Sequence, residues 1–237
     1  MEKSLSSAKF LCPICGEELV EKKTVGRCIY CGKEEEAHWI CPNGHYICEE
    51  CRLLNQKEIT IKYLSYTKEK DVLKILHTLI KHPSFNFFGK EYHFVLGPVV
   101  LTSLKNQGKL NWDPRRNAAL IHRTEFIPYG VCGTIGTCGV CSSVGATLST
   151  LLKATYMSDR ERSISLSSVS ECLKELANQG GPRCCKESIY VGLKVLDRYL
   201  KRYLDLDLSI KEKIICAFSN RNPECKKERC EFYRGEI

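Results

Sequence analysis

Cys12-Pro13-Ile14-Cys15-Gly16 and Cys28-Ile29-Tyr30-Cys31-Gly32 are two short turns separated by twelve residues, and their reading divides the chain. A C-x2-C turn lets both sulfurs face one ion, and the glycine after it permits the tight backbone that aims amide N–H groups at them. Two such turns supply four thiolates, enough for one tetrahedral site. A second set follows in Cys41-Pro42-Asn43-Gly44-His45-Tyr46-Ile47-Cys48-Glu49-Glu50-Cys51. Cys41, His45, Cys48 and Cys51 are three thiolates and an imidazole, again a tetrahedral set suited to Zn²⁺. His38 competes with His45, because His38-x2-Cys41 also has ligand spacing, but Gly44 supplies the turn that favours His45.

This N-terminal stretch resembles zinc-ribbon modules, and its H-x2-C-x2-C half resembles the second half of a RING finger. The eight ligands therefore pair either in sequence or cross-braced. Neither site keeps an open coordination position, so both read as structural. With few large aliphatic residues nearby, metal binding is expected to supply much of the module's folding free energy.

Working outward, the composition is that of a globular chain: 237 residues, 43% hydrophobic and 27% charged, with 16 cysteines in a chain too long to need disulfides to fold. No run of 18 apolar residues is present, which argues against a membrane partner, and the start, Met1-Glu2-Lys3-Ser4-Leu5, lacks an apolar signal core. A cytoplasmic location follows as the expectation, where thiols stay reduced and C-x-x-C spacing reads as metal binding. The net charge of +8 is uneven: residues 1–60 carry 8 Lys/Arg against 10 Glu, so the remainder carries the excess. Short basic runs such as Arg115-Arg116 and Lys226-Lys227 allow nucleic acid as a partner but do not favour it, because solvated helix faces explain them and no aromatic-and-basic motif accompanies them.

Four segments are expected: a flexible tail over 1–9, a zinc-binding module over 10–55, a connector over 56–65, and a helical Cys-rich domain over 66–237. Ile59-Thr60-Ile61 suggests that the connector pairs as a short strand. Beyond it the period becomes helical. Val72, Leu73, Ile75, Leu76, Leu79 and Ile80 form one stripe, ended by Pro83. Val144, Leu148, Leu151 and Leu152 form another. Val169, Cys172, Leu173 and Leu176 follow, with Ser167 or Ser168 as the cap, and then Ile189, Leu193, Leu196 and Leu200. The fold class is mainly α: a helical Cys-rich domain behind a small two-zinc ribbon/RING-like module.

In the helical part the cysteine spacing no longer looks like zinc. Cys132, Cys138 and Cys141 lie in a Gly-rich loop running into a helix. Gly180-Gly181-Pro182-Arg183-Cys184-Cys185 is a second Gly-rich turn, with Pro182 placed to open the next helix. Thiols at helix starts are stabilised as thiolates, which suits an anionic iron–sulfur cluster or a reactive thiol. Cys216, Cys225 and Cys230 complete the set. The candidate cluster ligands are Cys132, Cys138, Cys184, Cys185, Cys216, Cys225 and Cys230. Cys138-x2-Cys141 also reads as a redox dithiol, although no βαβ context surrounds it, and Cys172 reads as core. Glu91 and His93 are the candidate catalytic acid–base pair.

Residues from about 66 to 233 resemble an uncharacterised Cys-rich domain of unknown function from anaerobic bacteria and archaea, often associated with or fused to class I SAM-dependent methyltransferases. Cys132-Gly133…Gly136…Cys138-Gly139, Gly180-Gly181-Pro182-Arg183-Cys184-Cys185-Lys186, and Cys216 with Cys225 and Cys230 carry the resemblance. Members typically have a His-Gly-Pro-Glu-[His/Tyr]-His segment; Phe88 and Lys90 replace its first His and its Pro here, while Gly89, Glu91, Tyr92 and His93 match. Cys141 falls outside the family pattern. The resemblance implies anaerobic metabolism and metal chemistry, with a methyltransferase or redox protein as partner. No strand leads into G-x-G-x-x-G, so the chain itself is not read as a methyltransferase. The functional expectation is electron or sulfur transfer by a zinc and iron–sulfur protein. The alternative is a zinc-binding adaptor for nucleic acid or a protein partner.

Overall fold

A computed structural model describes residues 10–235. The expected tail over 1–9 lies outside the described residues. The N-terminal module is built on two antiparallel strands, β1 (Val20–Arg27) and β2 (Glu34–Ile40), whose connecting turn is the second cysteine knuckle. The two knuckles share one backbone pattern: Gly16 N–H donates to the Cys12 carbonyl and Gly32 N–H to that of Cys28, both at 2.8 Å. Gly16 and Gly32 have φ of +86° and +74°, the left-handed region a side chain would strain. The third cysteine pair sits on α1 (Glu49–Leu53), with Cys48 as its N-cap and Cys51 buried.

The module is packed onto the helices. Tyr30, fully buried, stands edge-on to Tyr63 and His82 and donates its hydroxyl to the Thr78 carbonyl at 3.0 Å. His82 Nε2 donates to the Cys51 carbonyl at 2.9 Å while its Nδ1 accepts from Ser84 N–H. The expected strand at Ile59-Thr60-Ile61 is not formed. These residues belong to α2 (Gln56–Tyr66), which starts with a full capping box between Asn55 and Glu58 and buries Ile59, Thr60, Tyr63 and Leu64 along one face.

The remaining helices are α3 (Val72–Ile80), α4 (Tyr92–Asn106), α5 (Asn117–His122), α6 (Val131–Thr134), α7 (Gly139–Leu151), α8 (Arg160–Gln179) and α9 (Cys185–Leu204). The mainly helical class expected from the periodicity is observed. Helix α4 is the hub, buried on all sides from Tyr92 to Leu104 as an all-round apolar helix should be, with α3, α5, α7 and α9 against it. Two expected starts shift. Helix α8 begins at Arg160 rather than near Ser167 or Ser168, and Ser168 instead bonds back to the Ser165 carbonyl inside the helix. Helix α9 begins at Cys185 with Cys184 as its N-cap, so Pro182 precedes the helix instead of opening it. After α9 the described residues hold only short 3-10 turns, at Ser219–Arg221 and Lys227–Arg229. Among the described residues, no helix is long and apolar enough to cross a membrane.

Candidate metal centres

The eight N-terminal ligand candidates gather into two quartets, and the pairing is cross-braced. Cys12 and Cys15 meet Cys41 and His45; Cys28 and Cys31 meet Cys48 and Cys51. In each quartet all ligand atoms lie within 4.8 Å of one another. Cys15 Sγ is 3.4 Å from Cys41 Sγ, His45 Nδ1 is 3.8 Å from Cys12 Sγ and 3.6 Å from Cys41 Sγ, and Cys31 Sγ is 3.7 Å from Cys48 Sγ. His38 is outside: it is exposed, with Nε2 3.3 Å from Glu36.

Four thiols this close cannot all ionise unaided. Burial pushes Cys12 and Cys48 up to about 11, and Cys51 further, with Cys31 and Cys48 adding to it. At Cys15 burial is outweighed by the Glu17 N–H, Cys41, Asn43 and His45, which bring it down to about 6. Such a donor set fits a divalent cation, which would hold the thiols ionised.

The seven cysteines expected to hold a cluster do not form one group. Cys184, Cys216, Cys225 and Cys230 line one cavity, together with Lys186, Glu187 and Lys226. Cys132, Cys138 and Cys185 line a second with His93, Tyr129, Arg183 and Ser188, and Cys184 borders both. Among the described residues, neither set closes to the spacing of the N-terminal quartets.

The first cavity repeats the hydrogen bonding of the metal knuckles. The Phe218 and Lys227 N–H groups donate to Cys216 Sγ and Cys225 Sγ at 3.4 Å each, as the Cys51 N–H does to Cys48 Sγ at the same distance. Cys184 is the N-cap of α9. Burial nonetheless raises Cys184 and Cys216, and lifts Cys230 to about 12.

Two buried lysines flank these sulfurs. Lys226, which the sequence placed in a surface basic run, pairs with Glu187 at 2.8 Å, both side chains 2% exposed. Its Nζ also donates to the carbonyls of Gln179 and Gly180 at 2.9 and 3.0 Å, fastening the C-terminal segment to the Gly-rich turn before α9. Among the described residues Lys186 forms no ion pair with a carboxylate, although Glu91 is near enough to favour its charge. Its ammonium donates to the Phe87 carbonyl at 2.6 Å and the Tyr92 hydroxyl at 3.1 Å, with the rings of Phe87, Tyr92 and Phe218 4.4–5.2 Å from Nζ. Burial lowers its pKa, and Cys184, Cys185 and Cys216 oppose that.

In the second cavity, His93 is buried on α4 and donates Nδ1–H to the Ile127 carbonyl at 3.1 Å, which leaves the lone pair of the neutral ring on Nε2. Its ring rests on bare Gly139: a Cβ there would run into it. Glu91 is turned elsewhere. Its Oε1 accepts from Asn86 N–H at 3.0 Å and closes the 86–91 loop, whose Gly89 N–H donates to Cys185. Cys138 is the N-cap of α7. The neighbouring Cys141 thiol, with the N–H groups of Cys141 and Val140, outweighs burial and brings it down to about 6. Cys141 also meets Cys172 and is pushed up by both neighbours. Cys132 is exposed on α6. The two buried lysines and the Cys138–Cys141–Cys172 contact were not visible in the sequence, apart from the C-x2-C spacing itself.

Residues 60–233 match the model of a family of unknown function, DUF5714. No curated protein matches the chain, and neither does any solved structure.

Proposed function

Because the chain belongs to DUF5714, a family of unknown function, we propose its role from the site itself: a metalloprotein with two structural zinc ions and an iron–sulfur cluster that serves electron or sulfur transfer. The zinc reading rests on distance. A tetrahedral ion with Zn–S bonds near 2.3 Å sets its ligands about 3.8 Å apart, and the quartets' contacts run from 3.4 to 3.8 Å.

The observation that carries the cluster reading is the cavity of Cys184, Cys216, Cys225 and Cys230 beside Lys186. Two of its sulfurs, Cys216 and Cys225, accept a backbone N–H, the arrangement that steadies metal-bound thiolates and tunes cluster potential. Their spacing is wider than that of a one-ion quartet, as a cluster that interposes its own atoms requires. An ammonium buried without a carboxylate in contact is costly, and a cluster bound by four thiolates is an anion that would partner it. The cavity itself measures about 20 Å³. That is one water's worth of space, so a cluster would displace the irregular 216–230 segment outward as it binds.

In this reading Cys132, Cys138, Cys185 and His93 line the place where a reaction partner meets the cluster, with His93 Nε2 as the proton carrier. Glu91 acts by holding the 86–91 loop against Cys185. An association with anaerobic methyl metabolism, and with a methyltransferase or redox protein, is part of the same proposal. Replacing Cys216 or Cys225 with Ser is expected to lower iron bound after anaerobic purification several-fold, while Cys132→Ser leaves it unchanged. Full iron content and activity in a Cys184→Ala/Cys185→Ala double variant would sink the reading.

A second reading, a zinc-stabilised adaptor for an anionic partner, is favoured by one surface feature. A groove of about 830 Å³ is lined by Lys70, Lys74, Lys109, Lys211 and Lys213. Steep loss of RNA binding with salt by an iron-free protein would support it.

A further inference from the structure

We propose that Cys138 and Cys141 form a reversible dithiol–disulfide couple that exchanges with a disulfide substrate brought to the cavity beside His93. The proposal is separate from the cluster, whose four ligands lie in the neighbouring cavity. Its basis is placement. Cys138 caps a 13-residue helix, and Cys141 is the third residue of that helix. The C-x2-C spacing at a helix start sets the two cysteines one turn apart on the same side of α7.

The pair is also graded from outside to inside. Cys138 lines the cavity at 6% exposure, whereas Cys141 is fully buried behind it and has no place in the cavity wall. That is the order an exchange reaction needs. The outer thiolate attacks one sulfur of a substrate disulfide R–S–S–R, forming a mixed disulfide and releasing RS⁻. The inner sulfur then attacks Cys138, forming the Cys138–Cys141 bond and releasing the second RS⁻. Two thiols are oxidised and one disulfide is reduced to two thiols. The two protons given up by Cys138 and Cys141 pass to the departing thiolates. His93, on the same cavity wall as Cys138, is placed to carry those protons.

Cys132 is not required. It is exposed on the loop that carries Gly130, Gly133 and Gly136, at the outer side of the same cavity, and serves as an internal reference for a thiol that reacts by exposure alone. Cys172, whose thiol helps push Cys141 up, is the competing partner for Cys141.

The test treats the full chain, purified reduced and without oxygen, with glutathione disulfide. It is quenched in acid, alkylated with N-ethylmaleimide and mapped by peptide mass, with iron counted in the same sample. The expected product is a peptide short of two hydrogens at Cys138 and Cys141, restored by dithiothreitol and formed equally by Cys132→Ser. A Cys141→Ser variant, unable to resolve, is expected to accumulate glutathione on Cys138. Alkylation of both Cys138 and Cys141 while Cys132 carries glutathione would overturn the proposal. So would a Cys141–Cys172 link, or protection of Cys138 that disappears when iron is removed, which would make it a ligand.

Discussion

The Lys226–Glu187 pair is where the structure commits most strongly, because both side chains are 2% exposed and neither can turn to water. Lys226→Met keeps most of the stem volume but leaves the Glu187 carboxylate buried and unpaired, a change worth about 3–5 kcal/mol in comparable pairs. It also strips the carbonyls of Gln179 and Gly180 of their donor. These losses share one ammonium and do not add. With a urea slope of roughly 2 kcal/mol per molar, the midpoint is expected to fall by about 2 M at unchanged slope. The Lys226→Met/Glu187→Leu double variant removes both charges and is expected to regain most of that stability. Urea unfolding followed by far-UV circular dichroism, at fixed metal content, reads all three proteins. A single variant within about 0.5 kcal/mol of the parent, or a double variant no better than the single, would refute the assignment of a buried pair. Since the same lysine ties the segment bearing Cys216, Cys225 and Cys230 to the start of α9, the single variant should also bind less iron.

Three further outcomes follow from the same geometry. Gly139→Ala drives a methyl group into the His93 ring; the expected cost is about 1–3 kcal/mol in thermal or urea unfolding, with an altered rate of Cys138 alkylation. If the two quartets hold metal as proposed, a strong chelator is expected to abolish amide-exchange protection over residues 10–55, because a structural zinc ion contributes on the order of 10 kcal/mol to such a module, while α4, α7 and α9 keep theirs. His77, held down to about 4 by burial and Lys81, is bonded to the Tyr190 hydroxyl at 2.9 Å. Its folded pKa lies below the ordinary value of 6.5, so the unfolded chain takes up the proton first. Its contribution is therefore complete above pH 6.5 and is lost as pH falls toward 4, by at most about 3 kcal/mol. His77→Gln should flatten the difference in stability between pH 7 and pH 4.5 relative to the parent.

What the sequence made legible was local. The eight candidate ligands of the N-terminal module, which the fold gathers into two quartets, were readable because a C-x2-C turn with its glycine is a short-range device, complete within five residues. Their cross-braced pairing was left open by the same spacing, since it depends on how β1 and β2 carry Cys28 and Cys31 away from Cys12 and toward Cys48. At Ile59-Thr60-Ile61 the β-branched run suggested a strand, but the Asn55–Glu58 capping box and the one-sided burial of Ile59 and Tyr63 favour a helix. The first turns of α8 carry few apolar residues, so its start was placed late. In the cysteine-rich half, the helix-start positions of Cys138 and Cys184 were readable from the glycines and the apolar stripes. The division of seven thiols between two cavities was not, because it depends on where the irregular 205–233 stretch folds back. Nor could sequence show that Lys186 and Lys226 are buried: a lysine reads as a solvated charge until packing encloses it.

The central claim is the cluster beside Lys186, and metal counting tests it most directly. The full chain would be purified without oxygen, its visible spectrum recorded, and its zinc, iron and acid-labile sulfide measured per chain. About two zinc ions with several irons and matching sulfide, and a broad visible absorption lost on exposure to air, is the expected result. Zinc alone, with no iron or sulfide retained after reconstitution, would contradict it.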